Sequence, residues 1–402
     1  MIRTPQDGGA IQSYPRIFIA AGEVSGDRQA AYLARAILAQ NRHVQLYGSG
    51  GEKMIEAGID IRVRTSHLGC VGFQEALRYL RPLRRVMSEI RSMIRSDPPD
   101  MAVLVDNEGF NALLSRFLHS EGIPFIYYFP PQVWFWGEWR ARAVASRAHA
   151  IIAAFSDEAA IYRREGGQVR WFGHPLIDIV KPAPRAGKIF ESLGLDSAMR
   201  TIAIMPGSRF QELQQMVPSM LGAARILQAK HPELQIILPL AAPHLRSALE
   251  KQIVRAGMSG IVTVVEDHIY TLLSKCELVL LSSGTATLEL ALLGIPMVVA
   301  YRVKPLTYLL GKHLLKVRFL SMPNILLGEP AVPELLQEDV TAERLALEAI
   351  SILDHPERAN TIREKLGTIR SMLGERGVLD RAASFILSEV TQVRERNRLE
   401  VA

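Results

Sequence analysis

The sequence predicts an α/β protein built as two doubly wound domains, each a parallel sheet with helices on both faces. Three observations lead there. Short apolar runs alternate with helical stretches along residues 15–175, the pattern of strands buried on both faces and joined by helical crossovers. The alternation halts at a segment holding Pro175, Pro182, Pro184 and Gly187, then starts afresh. A length of 402 residues also exceeds what one hydrophobic core usually organises.

Taken in order, residues 1–14 are polar, carry Pro5, Gly8 and Gly9, and read as a loose tail. The run 17–21 is a first strand, because its apolar stretch ends at Gly22-Glu23, too soon for a signal peptide. Strands follow at 44–47, 101–105, 125–129 and 150–154, which makes 15–175 the first domain. Residues 176–190 form the linker. The second domain, 191–340, carries strands at 201–205, 235–239, 261–265, 278–281 and 296–301. From 341 to 402, charged and apolar residues recur at helical spacing, so the chain ends in helices.

With 48% hydrophobic and 22% charged residues, the chain is globular rather than disordered. No apolar run approaches the roughly 20 residues of a membrane span. Cys70 and Cys276 stand apart with no metal-type spacing, so a reducing cytoplasm and no structural metal are expected. The net charge of +6 suggests an acidic partner. Residues 75–95 hold six arginines among Leu77, Leu80, Leu83, Met87, Ile90 and Ile94. Such a stretch either lies on an anionic membrane surface or packs on its own sheet with a solvated arginine face. Lys312, Lys316 and Arg318 repeat the theme. Nucleic acid is not the expected partner, since there is no aromatic RNA-binding signature or basic recognition helix. The absence of a Walker pattern argues against an ATPase.

The richest segment is 280–305, LLSSGTATLELALLGIPMVVAYRVKP. An apolar strand runs into Ser283, Gly284 and Thr285, and a helix follows with Glu289 in its second turn. Backbone N–H groups and the helix dipole favour a phosphate at such a helix start, and the glutamate can hold ribose hydroxyls. The same residues also suit an ordinary capped βα turn. Earlier, Gly207, Ser208 and Arg209 end a strand with backbone donors and a forked cation, which a diphosphate wants; Glu212 lies just inside the next helix.

In the first domain, Gly22 and Gly26 allow a tight turn, Ser25 or Asp27 can cap the helix after it, and Glu23 points into the cleft. The strand at 101–105 delivers Asp106, a carboxylate placed to accept a proton from an acceptor hydroxyl. The aromatic and proline run 128–136 lines a sugar or acyl pocket, or packs its loop. His174 is equally a packing residue and a catalytic one. Asn324 and Gln337 offer amides on loops after the phosphate-binding unit.

These motifs together resemble one family, lipid-A-disaccharide synthase, along nearly the whole chain. The resemblance is carried by AGEVSGD (21–27), GSGGEKMIEAG (48–58), VGFQEAL (71–77), DNEGFN (106–111), PPQVWFW (130–136) and GHPL (173–176). It continues through PGSR (206–209), SGTATLE (283–289), VVAYRVKPLTY (298–308), MPNILLG (322–328) and VPELLQED (332–339). It implies two Rossmann-like domains in the GT-B glycosyltransferase architecture and an inverting reaction. UDP-2,3-diacylglucosamine would be joined to 2,3-diacylglucosamine 1-phosphate, giving a β-1,6-linked disaccharide 1-phosphate and UDP. No metal or other cofactor is implied. The resemblance further implies a peripheral place on the inner face of the cytoplasmic membrane. It also implies a homodimer that exchanges C-terminal helices, the alternative being that they pack back on the first domain.

Family positions carried over are Glu23, Asp106, Arg209, Glu289 and Asn324. Asp106 is the first choice for general base and Glu23 the second, or a partner that orients the acceptor. Gly207, Ser208, Arg209, Ser283, Gly284, Thr285, Glu289, Asn324 and Gln337 form the expected donor site. Two departures fall on the acceptor side. Glu108-Gly109 stand where the family has proline-aspartate, and Pro131 and Gln132 replace part of a serine pair. A UDP-sugar epimerase, a related lipid glycosyltransferase and a UDP-binding homologue without acceptor chemistry are the alternative readings.

Overall fold

The computed structural model describes residues 14–65, 73–135, 137–182, 186–303 and 318–401. The expected tail up to residue 13, Cys70, Trp136, Pro184, Lys312 and Lys316 lie outside them. The first sheet is formed by β1 (Arg16–Ala21), β2 (Gln45–Gly50), β3 (Asp60–Arg64), β4 (Met101–Val105), β5 (Phe125–Tyr128), β6 (Ala150–Ala153) and β7 (Val169–Trp171). Every pairing is parallel, in the order β3-β2-β1-β4-β5-β6-β7. Between the strands run α1 (Val24–Gln40), α2 (Glu52–Glu56), α3 (Phe73–Ser96), α4 (Glu108–Ser120), α5 (Ala141–Ala145) and α6 (Ser156–Arg164). Two short helices, α7 (Leu176–Ile179) and α8 (Ala186–Ser192), occupy the expected linker.

The second sheet repeats the plan with β8 (Thr201–Met205), β9 (Gln235–Pro239), β10 (Val262–Val265), β11 (Leu278–Ser282), β12 (Met297–Tyr301) and β13 (Glu334–Leu336). Its order is β10-β9-β8-β11-β12-β13, again all parallel. Its helices are α9 (Phe210–Lys230), α10 (Arg246–Arg255), α11 (Ile269–Leu273), α12 (Thr285–Leu293) and α13 (Met322–Leu327). The chain closes with α14 (Ala342–Leu353), α15 (Pro356–Met372) and α16 (Val378–Val401).

All ten expected strands are present. Three more, β3, β7 and β13, carry no apolar run, since each buries a single residue: Val63, Val169 and Leu335. They sit at sheet edges, where a strand can stay half-exposed and so leaves little pattern in the sequence. Central strands differ, as all five residues of β4 are fully buried. In α3, Met87, Ile90 and Ile94 pack into the first domain while Arg81, Arg84, Arg85, Arg91 and Arg95 face solvent. The packed-helix reading thus accounts for this part of the basic stretch, and its outer face remains cationic. Among the described residues no helix is long and apolar enough to cross a membrane.

The C-terminal helix α16 returns to the first domain. Its Ala382, Ala383, Ile386 and Val390 join one core with Ile17, Ile19, Leu33 and Ile37. The chain therefore crosses between domains twice, and the crossings are bonded together. The His174 N–H donates to the Leu373 carbonyl at 2.8 Å, and the Asp178 carboxylate accepts from the N–H groups of Gly377 (2.8 Å) and Leu379 (3.0 Å).

Candidate active site

In each sheet the strand order reverses once, between β1 and β4 and between β8 and β11, and ligands in such folds bind beyond the strand ends at that reversal. The two reversals face each other. Glu23 follows β1 and Asp106 follows β4; Gly207 to Arg209 follow β8, and Ser283 to Thr285 follow β11. A cavity of 450 Å³ lies between them, bounded by Ser25, Arg28, Asp106, Phe129 and His174 on one side and Gly284, Thr285 and Met322 on the other.

The acceptor side is held in costly backbone geometry. Asp106 and Asn107 have φ of 52° and 42°, and Phe129 across the sheet has 60°. Non-glycine residues persist there only where surrounding bonds over-determine them, as happens at functional sites. Here the Asp106 N–H donates to the Tyr128 carbonyl at 3.2 Å, and the Asn107 carboxamide oxygen accepts from the Phe110 N–H at 3.1 Å. The Ser25 hydroxyl donates to the Asp106 carboxylate at 3.0 Å. Glu23 forms an ion pair across the cleft with Arg209. Burial pushes its carboxyl up, Arg209 pulls it back, and Asp106 and Glu212 add to the rise, so the net direction is upward.

On the donor side, Arg209 is fixed at both ends. Its guanidinium meets Glu212 at 3.0 Å as well as Glu23, and its N–H donates to Glu212 at 3.2 Å. The Ser208 N–H also donates to Glu212, at 2.8 Å. The backbone donors expected to cradle a phosphate at Ser208 and Arg209 are therefore spent on the glutamate, and the guanidinium is what the turn presents. Gly207 is required by this packing. Its φ is +123°, and a Cβ there would lie 2.3 Å from a Glu212 carboxylate oxygen. Gly284 and Thr285 start α12 at the cavity, and nothing stands within 4 Å of a Cβ position at Gly284. Glu289 is buried in α12, ion-paired with Arg28 of the first domain and accepting from the Tyr270 hydroxyl at 3.1 Å.

Of the expected donor-site residues, Gly284 and Thr285 line the cavity, while Gly207, Ser208, Arg209 and Glu289 lie outside its lining; the other three make hydrogen bonds within their own domain. The Ser283 hydroxyl donates to the Leu320 carbonyl at 2.8 Å. The Asn324 carboxamide donates to Val332 O (2.9 Å) and Glu334 (2.8 Å) and accepts from Val332 N (2.9 Å), so both of its N–H donors and one of its two acceptor positions are taken. Gln337 clamps both backbone groups of Val303, at 2.8 and 3.0 Å. The α1 cap also differs from expectation. Glu23 is its N-cap residue, without a side-chain capping bond. Asp27 instead binds the N–H groups of Gly51, Lys53 and Met54 at the start of α2.

Sequence reasoning missed Arg28 and Tyr270, which belong to no motif and meet only because the domains fold together. It also missed Glu158 at the start of α6. This side chain is fully buried; one carboxylate oxygen accepts from Ala154 N at 2.9 Å and the other has no partner. His174 belongs to an aromatic wall, with ring centres 5.4 Å from Phe129 and 5.2 Å from Phe155. Its Nδ1 accepts from Leu176 N at 3.2 Å, and burial lowers its pKa to about 3, so the ring is neutral with its proton on Nε2. At the family's departure point, Glu108 lines the same cavity as Asp106 and pairs with Arg140; Pro131 and Gln132 line it too.

Known proteins share this fold and this sequence pattern. Among solved structures, the S. aureus MnaA–UDP co-structure covers 94% of this chain and 97% of its own, with a TM-score of 0.64 at 12% identity. A UDP-GlcNAc 2-epimerase from Neisseria meningitidis bound to UDP-GlcNAc covers 94% and 99%, with a TM-score of 0.61 at 14% identity. At that distance they bear on the fold alone, which is that of GT-B glycosyltransferases. Sequence relatives bear on more. The lipid-A-disaccharide synthase of Geobacter sulfurreducens is 37% identical over 372 residues, 92% of this chain and 96% of the relative. That of Synechocystis sp. is 35% identical over 384 residues, 92% and 97%. With the lipid-A-disaccharide synthetase family profile matching residues 17–386, this chain belongs to that family and is a glycosyltransferase of lipid A biosynthesis.

Proposed function

We propose that the cleft joins UDP-2,3-diacylglucosamine to 2,3-diacylglucosamine 1-phosphate by direct displacement. The acceptor's 6-hydroxyl oxygen attacks the anomeric carbon, the bond from that carbon to UDP breaks, and the hydroxyl proton passes to Asp106. The observation that carries this reading is the facing of two strand-order reversals. Asp106 from one and the start of α12 from the other line the 450 Å³ cavity, and beside it the ion pairs Glu23–Arg209 and Arg28–Glu289 join the two domains.

Donor charge is met by Arg209 and by the first N–H groups of α12, which stabilise the negative charge that grows on departing UDP. Glu289 holds the ribose. Ser283, Asn324 and Gln337 hold the surrounding loops, which is the role their hydrogen bonds support. The wall of Phe129, Phe155 and His174 suits the apolar faces of an acylated sugar. The solvent-facing arginines of α3 suit an anionic membrane surface, where both lipid substrates reside.

Asp106→Asn tests the central assignment. General-base catalysis contributes about 10² to 10⁴-fold, so turnover falls by that order while UDP affinity holds. Undiminished turnover in this variant removes Asp106 from the role.

A further inference from the structure

Four charged residues meet across the cleft in a crossed arrangement. The first domain supplies an acid and a base on one turn and its helix, Glu23 and Arg28; the second supplies Arg209 and Glu289. Each pairs with the opposite charge of the other domain. Both donor-binding charges of the second domain are therefore already occupied by groups of the first. Glu289 is buried and holds Arg28 and the Tyr270 hydroxyl, which lies 3.1 Å from Glu289 and 3.5 Å from the guanidinium. Arg209 holds Glu23 on one side and Glu212 on the other.

A nucleoside diphosphate binding to the same two residues competes with both pairs. Its diphosphate replaces Glu23 on Arg209, and its ribose replaces Arg28 on Glu289. We propose that the Glu23–Arg209 and Arg28–Glu289 pairs form an interdomain latch which the donor undoes, so that Glu23 is delivered to the acceptor only after the nucleotide has bound. Arg28 is then a positioning residue: it holds the ribose-binding glutamate closed off until the donor arrives.

This inference rests on the proposed roles of Arg209 and Glu289 in holding UDP. It makes a signed prediction that a purely structural role does not. Removing a competitor tightens UDP binding, whereas removing a structural support weakens it. Glu23 faces Arg209, Asp106 and Glu212, so Glu23→Gln keeps its shape while giving up its claim on the guanidinium.

The experiment is calorimetric titration of UDP into the full chain and four variants, Glu23→Gln, Arg28→Gln, Arg28→Lys and Arg209→Ala, each first checked for an unaltered thermal transition. Coupling between sites typically amounts to about fivefold or more, so Glu23→Gln and Arg28→Gln are each expected to bind UDP about fivefold more tightly. Arg28→Lys, which keeps the cation, stays near the parent affinity. Arg209→Ala weakens binding. Unchanged or weaker binding in both glutamine variants, with Arg209→Ala still impaired, overturns the latch and leaves the donor site standing. Parent affinity in Arg209→Ala overturns the donor-site reading itself, and the latch with it.

Discussion

Replacing Glu158 with glutamine should make the protein's stability less sensitive to pH. The Glu158 side chain is fully buried with one carboxylate oxygen unpartnered. Burial pushes its carboxyl from the ordinary 4.5 up to about 8; the N–H groups of Ala154 and Phe155 oppose the rise, and the charge of Asp106 adds to it. Between those two values the folded chain keeps a proton that the unfolded chain has released. Stability conferred by the buried neutral acid is therefore complete below about pH 4.5, falls as pH rises, and is gone above about 8. At 1.36 kcal/mol for each pH unit, the interval amounts to roughly 4–5 kcal/mol, a large part of a typical folding free energy.

Glutamine keeps an oxygen for Ala154 N and cannot ionise. Melting curves of the parent and Glu158→Gln between pH 5 and pH 9 should diverge, with the variant gaining several degrees on the parent toward the alkaline end. Parallel curves across that range would refute the buried-neutral assignment. A variant that is uniformly less stable, by the same margin at every pH, would likewise show that only packing was lost.

Gly207→Ala should weaken UDP binding more than tenfold, because its Cβ displaces Glu212 and with it the anchor of Arg209; a titration giving parent affinity contradicts that packing. Asn324→Ala orphans both backbone groups of Val332 and one contact of Glu334. It should cost roughly 2–4 kcal/mol in chemical denaturation, whereas lost UDP affinity at full stability would mean that Asn324 touches the donor directly.

Central architecture was legible in the sequence because strands such as β4 and β11 are buried on both faces and appear as continuous apolar runs. The edges were not, since β3, β7 and β13 bury one residue each. At the candidate site, position at the end of a central strand was informative about placement: Asp106 and Gly284 line the cavity, and Glu23 and Arg209 pair across the two domains. Residue type was a weaker guide. Asn324, Gln337 and Ser283 have the right chemistry for a ligand, yet their hydrogen bonds are spent on Val332, Val303 and Leu320. Arg28 and Tyr270 lie 242 positions apart and meet only through the packing of one domain against the other, which no local pattern encodes.

The most direct test of the proposed reaction is incubation of the protein with UDP-2,3-diacylglucosamine and 2,3-diacylglucosamine 1-phosphate in detergent, with UDP and lipid products followed together by mass spectrometry. Equal amounts of UDP and disaccharide 1-phosphate, both suppressed in Asp106→Asn, are the expected result. UDP without disaccharide, or no turnover of either substrate, would contradict it.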